Sequence, residues 1–586
     1  MQDFLAILPV RGELASNPFL PFITRLEAVG LSVRQKSPKL VLATRSGAAG
    51  SEAPTRAIIL GRAFGPRSAD DEAPIAMDTD RVDRYLCDLV SRRWGSFAAV
   101  IANPGPGGAA VLRAPSGGPS IYYHLRDEIV TIATSVAYLE AVNATTFPVD
   151  RLGLAADLLF PSLRGRRTCL DGVAELLPGE ALLIRDERAT PCTIWSPARC
   201  VARRDDIRDV GEAAATIKFT VSNATKTLFD GCDRLLLNLS GGLDSSVLAA
   251  AGRGTTARLF GINLVSGPGS GDERLFAQAV ADQEGFDLHI RPTLLEHVDV
   301  RRSGASSRPR PGSRSYTQAL LTQSVDVAKS VGADAIVYGH GGDNVFCYLH
   351  SATPAADRLA DGLNAQFWQS VRDVAAVTEC SVPKIAYEAF RKRFTRRRDW
   401  RWTRDDTLLT GDILEISQAV AEHPWIAEMN DLPVGTRAHI AAIMIGFSYV
   451  DFLDNESEIQ TLYPLLSQPV VETCLQIPTW LWYQGGVNRA PVRRAFASDL
   501  PRIVAHRSLK GGFGSFGRSV YLSNRLAIRE MLLGGRLADL GILDRLALER
   551  ALETRAPAGT TDYIRLLRLA DVEAWLTNRA SPPLRP

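Results

Sequence analysis

The residues best suited to phosphate chemistry form one short run of glycines, hydroxyls and an aspartate. The run begins at the last of five residues typical of a buried strand and reads Leu239-Ser240-Gly241-Gly242-Leu243-Asp244-Ser245-Ser246. Glycines let the backbone approach a phosphate closely, and hydroxyls and N–H groups at a helix start can cradle its oxygens. Asp244 adds a carboxylate of the kind that Mg²⁺ shares with substrate phosphates. The run is not the Walker pattern, which requires a lysine after its last glycine, so it predicts a different class of ATP site.

Two further segments carry residues that could complete such a site. Gly339-His340-Gly341-Gly342-Asp343 follows the apolar residues 335–338, and ligands of open parallel sheets bind beyond the carboxyl ends of the strands. The second segment, 506–514, contains Lys510 in a glycine-rich setting. Only eight of the 67 basic residues are lysines, and Lys510 is the only one after Lys392. A compact cation near developing charge is the expected electrostatic device.

The elements that must position these residues change character near residue 205. The first part shows short apolar runs at regular intervals, which predict a layered β domain, and residues 301–314 further on are predicted to form a mobile insertion. From residue 206 onward, strands near 235–239, 259–264 and 335–338 alternate with helices, which predicts a mostly parallel sheet covered by helices. We therefore predict two domains, 1–205 and 206–586, of which the second becomes largely helical towards its end.

Composition excludes several classes of protein. The chain has 586 residues, 46% of them hydrophobic and 23% charged, a composition typical of a globular protein. The net charge of +2 gives no general reason to expect nucleic acid or a membrane as partner. No apolar stretch near twenty residues and no signal sequence occurs, and the eight cysteines include no C-x-x-C pair, so we expect a cytoplasmic protein. The basic segment 391–404 is interpreted as a solvated face or a contact to an acidic partner. Asp272 and Glu273 are interpreted as partners of a helix dipole.

The three segments together resemble the asparagine synthetase superfamily, whose members split ATP into AMP and pyrophosphate. The resemblance implies ATP and Mg²⁺ as cofactors, with Asp244 and Asp343 as metal ligands; Asn344 stands where the family usually has glutamate. It implies catalytic roles for Lys510, His340 and, in the region where cyclising relatives carry an acid/base, Glu379. The residues that it assigns to ATP and pyrophosphate are Leu239, Ser240, Gly241, Gly242, Leu243, Asp244, Ser245, Ser246, Ile262, Gly339, Gly341 and Gly342.

The first domain resembles the glutamine amidotransferase domain fused to asparagine synthetases, through segments such as 94–98 and 113–123. That resemblance implies an Ntn-type αββα fold. The amidotransferase nucleophile is a cysteine at position 2, where this chain has Gln2, and the first cysteine is Cys87. We therefore expect no glutamine hydrolysis, so that another amine must serve as acceptor.

Among relatives that use an amine of the substrate itself, the chain looks most like the lasso peptide cyclases. A β-lactam synthetase is expected to carry tyrosine where this chain has His340. The resemblance implies that the side chain of an Asp or Glu in a ribosomally made precursor peptide is adenylated and then attacked by the peptide's N-terminal amine. It also implies a leader-recognition protein and a leader peptidase as partners. A β-lactam synthetase, an ammonia-dependent asparagine synthetase and a non-catalytic peptide-binding scaffold remain alternatives.

Overall fold

The fold is described from a computed structural model of the chain. It describes residues 3–11, 14, 19–45, 50–52, 57–65, 82–102, 108–201, 207–265, 272–312, 314–394, 400–416, 422–452, 459–507, 514–553 and 562–580. The predicted domain boundary at residue 205 lies outside these ranges and stays a prediction.

The first part of the chain forms two antiparallel sheets of six strands each, in the orders β10-β8-β9-β1-β3-β2 and β12-β11-β7-β6-β5-β4. The strands of these two sheets are β1 Phe4–Pro9, β2 Leu31–Ser37, β3 Leu40–Arg45, β4 Gly50–Glu52, β5 Ala57–Phe64, β6 Trp94–Ala102, β7 Ala109–Arg113, β8 Ile121–Arg126, β9 Ile129–Ala133, β10 Ala174–Leu176, β11 Glu180–Arg185 and β12 Arg188–Thr193.

A buried apolar layer lies between the two sheets and includes Phe4, Leu42, Val100 and Leu182. The helices pack on the outer faces, with α1 and α3 against the first sheet and α2 against the second. The five helices of this part are α1 Phe19–Ala28, α2 Val82–Arg92, α3 Val136–Asn143, α4 Arg151–Leu159 and α5 Pro197–Val201. The order helix, sheet, sheet, helix confirms the predicted αββα layering.

The second part is built around a five-stranded parallel sheet in the order β15-β14-β13-β16-β17. Its strands are β13 Arg234–Asn238, β14 Arg258–Val265, β15 Leu288–Pro292, β16 Ala335–Tyr338 and β17 Gln460–Leu462. Alternate residues of β13 point to opposite faces, so that Leu236 packs in the cluster beneath one set of helices and Leu235 and Leu237 join the main core. The predicted parallel sheet is confirmed, whereas β15 and β17 were not predicted.

Helices cover both faces of this sheet and form most of the remaining chain, as predicted. They are α6 Val210–Phe229, α7 Leu243–Ala251, α8 Arg274–Glu284, α9 Thr317–Val331, α10 Gly342–Val345, α11 Thr353–Arg358, α12 Ala365–Thr378, α13 Val382–Phe394, α14 Gly411–Leu414, α15 Pro424–Glu428, α16 Val434–Phe452, α17 Gln468–Gln476, α18 Ala490–Ala495, α19 Arg502–Ala505, α20 Gly514–Ser523, α21 Arg525–Gly534, α22 Arg536–Asp539, α23 Arg545–Glu553 and α24 Asp562–Ala580. In the described part of the chain, none of them has the length and apolar character needed to cross a bilayer.

A fully buried carboxylate ties the two parts together. Glu175 of β10 contacts the guanidinium groups of Arg113, Arg164 and Arg310 at 2.8, 2.7 and 3.4 Å. Burial alone would raise the pKa of Glu175, but the positive charges of Arg164, Arg310 and Arg113 lower it to about 2. Arg310 belongs to the segment 301–314 that was predicted to be mobile. That prediction is wrong for its described residues, because Arg310 is buried and also donates to the carbonyl of Arg167.

We expect Glu175→Gln to lower the free energy of unfolding by about 3–5 kcal/mol, because it leaves three buried guanidinium groups without their counter-charge. The measurement is the urea midpoint at pH 7. In the parent protein, this stabilisation is complete at neutral pH and is lost as the pH falls from about 4.5 towards 2, since the folded-state pKa lies below the ordinary value. Asp127→Asn, at an exposed ion pair with Arg126, should change stability by less than about 0.5 kcal/mol and is the control. Equal effects of the two variants would contradict the role given to Glu175.

Candidate active site

The first glycine-rich run forms a tight loop between β13 and α7. Its entry is fixed by Leu239, whose N–H donates to the carbonyl of Ile262 at 2.8 Å and whose carbonyl accepts from Asn263 Nδ2 at 2.8 Å. Gly241 has φ 69°, and a Cβ at this position would lie 2.6 Å from Phe276 Cβ, so that only glycine fits. The loop then enters α7, where Asp244 lies in the first turn.

Hydroxyl groups hold this loop in shape. Ser245 Oγ accepts from the backbone N–H of Ser240 at 3.3 Å, and the Oγ atoms of Ser240 and Ser245 lie 3.2 Å apart. Ser246 Oγ donates to the carbonyl of Gly242 at 2.8 Å. The predicted ATP residues of this run are therefore gathered in one small structure at the carboxyl end of the sheet.

The second glycine-rich run packs directly onto the first. A Cβ on Gly339 would lie 2.9 Å from the backbone nitrogen of Ser245, and one on Gly342 would lie 2.3 Å from the carboxyl carbon of Asp244. This contact places Asp343, in α10, next to Asp244. The structure thus brings together the two aspartates predicted to bind the metal.

One arginine bridges the two aspartates. Arg489 Nη1 lies 2.9 Å from Asp244 Oδ1 and 2.5 Å from Asp343 Oδ1. The guanidinium is also 5.0 Å from the ring centroid of Tyr348. Arg489 precedes α18 with the left-handed φ of 54°, which few residues other than glycine adopt. The Arg489 side chain is buried. Its backbone conformation and its two ion pairs together hold the guanidinium between the two aspartates.

The donor set fits a magnesium ion. Asp244 and Asp343 each present one oxygen to the same cationic nitrogen, which marks a common cation position between them. Mg²⁺ commonly uses one or two carboxylates and takes its other ligands from phosphates and water. Among the described ranges, no group of three or more His, Cys, Asp or Glu side chains converges on one point. Within the described residues, the protein ligands available to the ion are therefore these two carboxylates, provided that Arg489 moves aside or shares the charge.

A second arginine reaches the first loop from the segment that leads to Lys510. Arg507 Nη1 donates to the carbonyl of Gly241 at 3.2 Å, and Nη2 contacts Glu273 Oε1 at 2.7 Å. Glu273 directly precedes α8, and its ion pair with Arg507 gives it a role beyond that of a helix-dipole partner. Lys510 itself lies outside the described residues, and its catalytic role stays a prediction.

A cavity of about 440 Å³ opens beside these loops at the carboxyl ends of β13, β14 and β16. His340 lies in its wall, with its ring stacked on Tyr449 at 5.6 Å and edge-on to Tyr338 at 5.4 Å. The other lining residues come from α4, β14, the approach to α9, α9 itself, α20 and α24. The cavity is thus built by both parts of the chain, and it meets the site through His340.

The side chains of three residues that the sequence analysis singled out do not line the site formed by the two loops. The side chain of Ile262 is fully buried in the cluster beneath α9, so only its backbone adjoins the first loop. The Asn344 side chain donates to the carbonyl of Ala442 at 2.8 Å, a bond that a glutamate could not donate. Glu379 is exposed at the end of α12 with φ 55°, outside the cavity lining. The structure therefore does not bring Glu379 to the site, because the left-handed turn directs the chain to the surface.

The geometry agrees with a comparison against known families. The family model described as Asparagine synthase matches residues 220–577, which is more than half of the chain. The chain belongs to the asparagine synthase family.

Comparisons with individual proteins add little to the family assignment. Glutamine phosphoribosylpyrophosphate amidotransferase from B. subtilis, complexed with ADP and GMP, has 10% identity and a TM-score of 0.20, over 49% of this chain and 65% of that one. The chain thus spans less than two thirds of that enzyme. The structure described as the allosteric regulatory enzyme of purine biosynthesis has the same identity and TM-score, over 50% of this chain and 74% of that one. No curated protein matches the sequence significantly.

Several residues of this asparagine synthase site were not found from the sequence. Arg489 lies in a segment, 489–501, that resembles the superfamily, but nothing in its spacing pairs it with two distant aspartates. Arg507 and Tyr449 gave no signal either. Asp571 could have been noticed, since it is a charged residue within the apolar pattern of α24.

We expect Gly342→Ala to weaken Mg²⁺·ATP binding at least tenfold, about 1.4 kcal/mol, because the added methyl group would displace the Asp244 carboxylate. Binding is measured by calorimetry with a non-hydrolysable ATP analogue. Gly411→Ala is the matched control, since a Cβ there meets nothing within 4 Å. Unchanged binding by the first variant would show that the loop contact does not position Asp244.

We expect Arg489→Met to make the thermal unfolding midpoint depend on Mg²⁺ in the absence of nucleotide. The variant removes the guanidinium that contacts both carboxylates, and the added ion supplies the lost positive charge. The midpoint should fall without Mg²⁺ and recover with it, by more than the shift of the parent protein. Arg493→Met is the control, because Arg493 bonds to the carbonyls of Ala505 and Arg507 and to Asn488. A fall that Mg²⁺ does not reverse would assign Arg489 a packing role only.

Proposed function

We propose that the protein is an ATP- and Mg²⁺-dependent macrolactam synthetase that closes an isopeptide ring in a ribosomally made precursor peptide, giving a lasso peptide. The side chain of an Asp or Glu is adenylated with release of pyrophosphate. The N-terminal amine of the same peptide then attacks the acyl-adenylate and AMP leaves. The observation that carries the proposal is the cavity beside His340, which is large and mainly apolar in lining.

The adenylation half of the reaction rests on the two packed loops. The backbone of 240–246 and the start of α7 would receive the pyrophosphate oxygens, and Arg507 would support the loop from the side of Gly241. Mg²⁺ held by Asp244 and Asp343 would supply charge neutralisation on the phosphates. Arg489, already between these aspartates, is placed to turn its guanidinium towards a phosphate once their charge is balanced otherwise.

The acceptor half rests on the cavity. At about 440 Å³ it lies within the size range of pockets that enclose ligands larger than an amino acid. Its lining combines aromatic rings such as His340 and Tyr449 with leucines of α9, which suits a peptide segment better than aspartate and ammonia alone. Holding the amine next to the acyl-adenylate supplies the orientation that ring closure requires.

The first domain supports an acceptor other than ammonia from glutamine. No cysteine stands in β1 or beside it in this sequence, and Cys87 lies on α2. The domain is nevertheless complete as a layered structure and contributes Asp157 of α4 to the cavity wall. We assign it the role of scaffold and peptide-contacting surface, with a leader-recognition protein and a leader peptidase as partners of the full reaction.

The test is mass spectrometry of candidate peptides incubated with the purified protein, ATP and Mg²⁺, read beside AMP release. The peptides begin with a free glycine and carry an Asp or Glu a few residues on. We expect each product to have lost one water, in amounts that match the AMP, and Asp244→Ala to abolish both. The same peptide with an acetylated N-terminus is the matched control and should form no ring.

Other outcomes would favour the alternatives. AMP release with aspartate and ammonia, or with a small β-amino acid substrate, would identify an asparagine or β-lactam synthetase. A complete lack of AMP with every substrate, also after addition of the leader-recognition partner, would identify a non-catalytic peptide-binding scaffold.

A further inference from the structure

A buried carboxylate lies in the cavity wall without a matching cation. Asp571 of α24 is 7% exposed, and its Oδ1 accepts from the backbone N–H of Ser315 at 2.9 Å. In the described part of the chain, no arginine, lysine or histidine nitrogen forms an ion pair with it. Tyr563, Leu567 and Asp571 follow one another at intervals of four residues, so that one face of α24 lines the cavity.

The other charges around the cavity are already engaged. Arg568 contacts Asp157 through Oδ2 at 3.2 Å and its backbone carbonyl at 2.8 Å. Arg314 donates to the hydroxyls of Tyr316 at 2.7 Å and Tyr449 at 3.3 Å, and its guanidinium lies over the Tyr449 ring. Asp571 is therefore, among the described residues that line this wall, the carboxylate that forms no ion pair with a guanidinium group.

Burial of a charged carboxylate costs free energy, and a ligand that supplies a proton or a positive charge would lower that cost. Burial raises the pKa of Asp571 to about 7, although the Ser315 N–H and the charges of Arg314 and Arg568 act in the opposite direction. A carboxylate with this property can accept a proton near neutral pH, as a general base must. The cavity is also lined by other titratable groups, which are the His340 imidazole, the Asp157 carboxylate, the phenols of Tyr316, Tyr338, Tyr449 and Tyr563, and the guanidinium groups of Arg314 and Arg568.

We propose that Asp571 binds the attacking amine in this cavity and accepts its proton during amide formation. This inference rests on the proposed function, in which that amine is the N-terminus of the peptide. It gives the general-base role to α24 rather than to Glu379, which is exposed at the end of α12.

The lone pair of the neutral amine forms the C–N bond to the acyl carbon of the adenylate. The bond between that carbon and the phosphate oxygen breaks, and its electron pair leaves with AMP. One proton of the nitrogen passes to the Asp571 carboxylate, leaving a neutral amide.

The experiment separates the two halves of the reaction in the full-length protein. Asp571→Asn is compared with the parent protein for ATP–pyrophosphate exchange in the presence of peptide, and for ring closure by mass spectrometry. We expect exchange to stay within threefold, because adenylation does not use the amine. Ring closure should fall by about 100-fold or more, the usual contribution of a general base. Hydroxylamine, which is nucleophilic without a base, should still trap the adenylate as a hydroxamate.

Two more variants distinguish the loss of a base from a general disturbance of the fold. Asp571→Glu keeps the carboxylate and should recover part of the ring closure that the asparagine variant loses. Asp373→Asn is the matched control, since Asp373 is another buried carboxyl whose pKa burial raises but which does not line the cavity. It should close rings within threefold of the parent rate.

The outcomes separate this inference from the proposed function. Loss of exchange and ring closure together in Asp571→Asn, or normal ring closure, would overturn the role of Asp571. If the parent protein closes no ring but exchanges pyrophosphate with another carboxylate substrate, the proposed function fails. The variants are then compared on amide formation from that substrate and its own amine, where the same selective loss of the second step would still support Asp571 as the base.

Discussion

Two carboxylates that contact the same guanidinium nitrogen are the constraint around which this molecule is organised. Asp244 and Asp343 come from loops that follow different strands, and the bare Cα of Gly342 lets the second loop press against the first. Like charges at this distance repel, so the arrangement requires a cation. Arg489 provides one, from a backbone conformation that is itself unfavourable for a residue with a side chain.

The same principle of balanced charge recurs where the first and second parts of the chain pack together. Glu175 is fully buried and contacts arginines from both parts, and Arg568 forms a second ion pair with Asp157 beside the cavity. These ion pairs connect the two parts. A domain without a nucleophilic cysteine beside β1 can therefore still matter to the reaction, because it completes the wall of the cavity.

The cavity and the nucleotide loops divide the chemistry between them. The loops are polar, tight and glycine-rich, which suits phosphates, whereas the cavity is wider and aromatic, which suits the organic part of a substrate. His340 joins the two, since it lies in the second loop and stacks on Tyr449 of the cavity. Asp571 differs from Asp157 in that wall because no described residue forms an ion pair with it.

The sequence by itself determined the parallel sheet, the layered first domain, the two loops and the pair of aspartates. Each of these features depends on a few consecutive residues. Examples are an apolar strand, a glycine that allows a close approach and a carboxylate just beyond the end of a strand. Strand β17 escaped prediction because it has only three residues, and β15 because it lies at the sheet edge and lacks a run of buried apolar residues. Arg489, Arg310 and Asp571 were decided only by the tertiary structure. Their partners lie about a hundred or more residues away, and the energy of a buried charge depends on which groups surround it after folding.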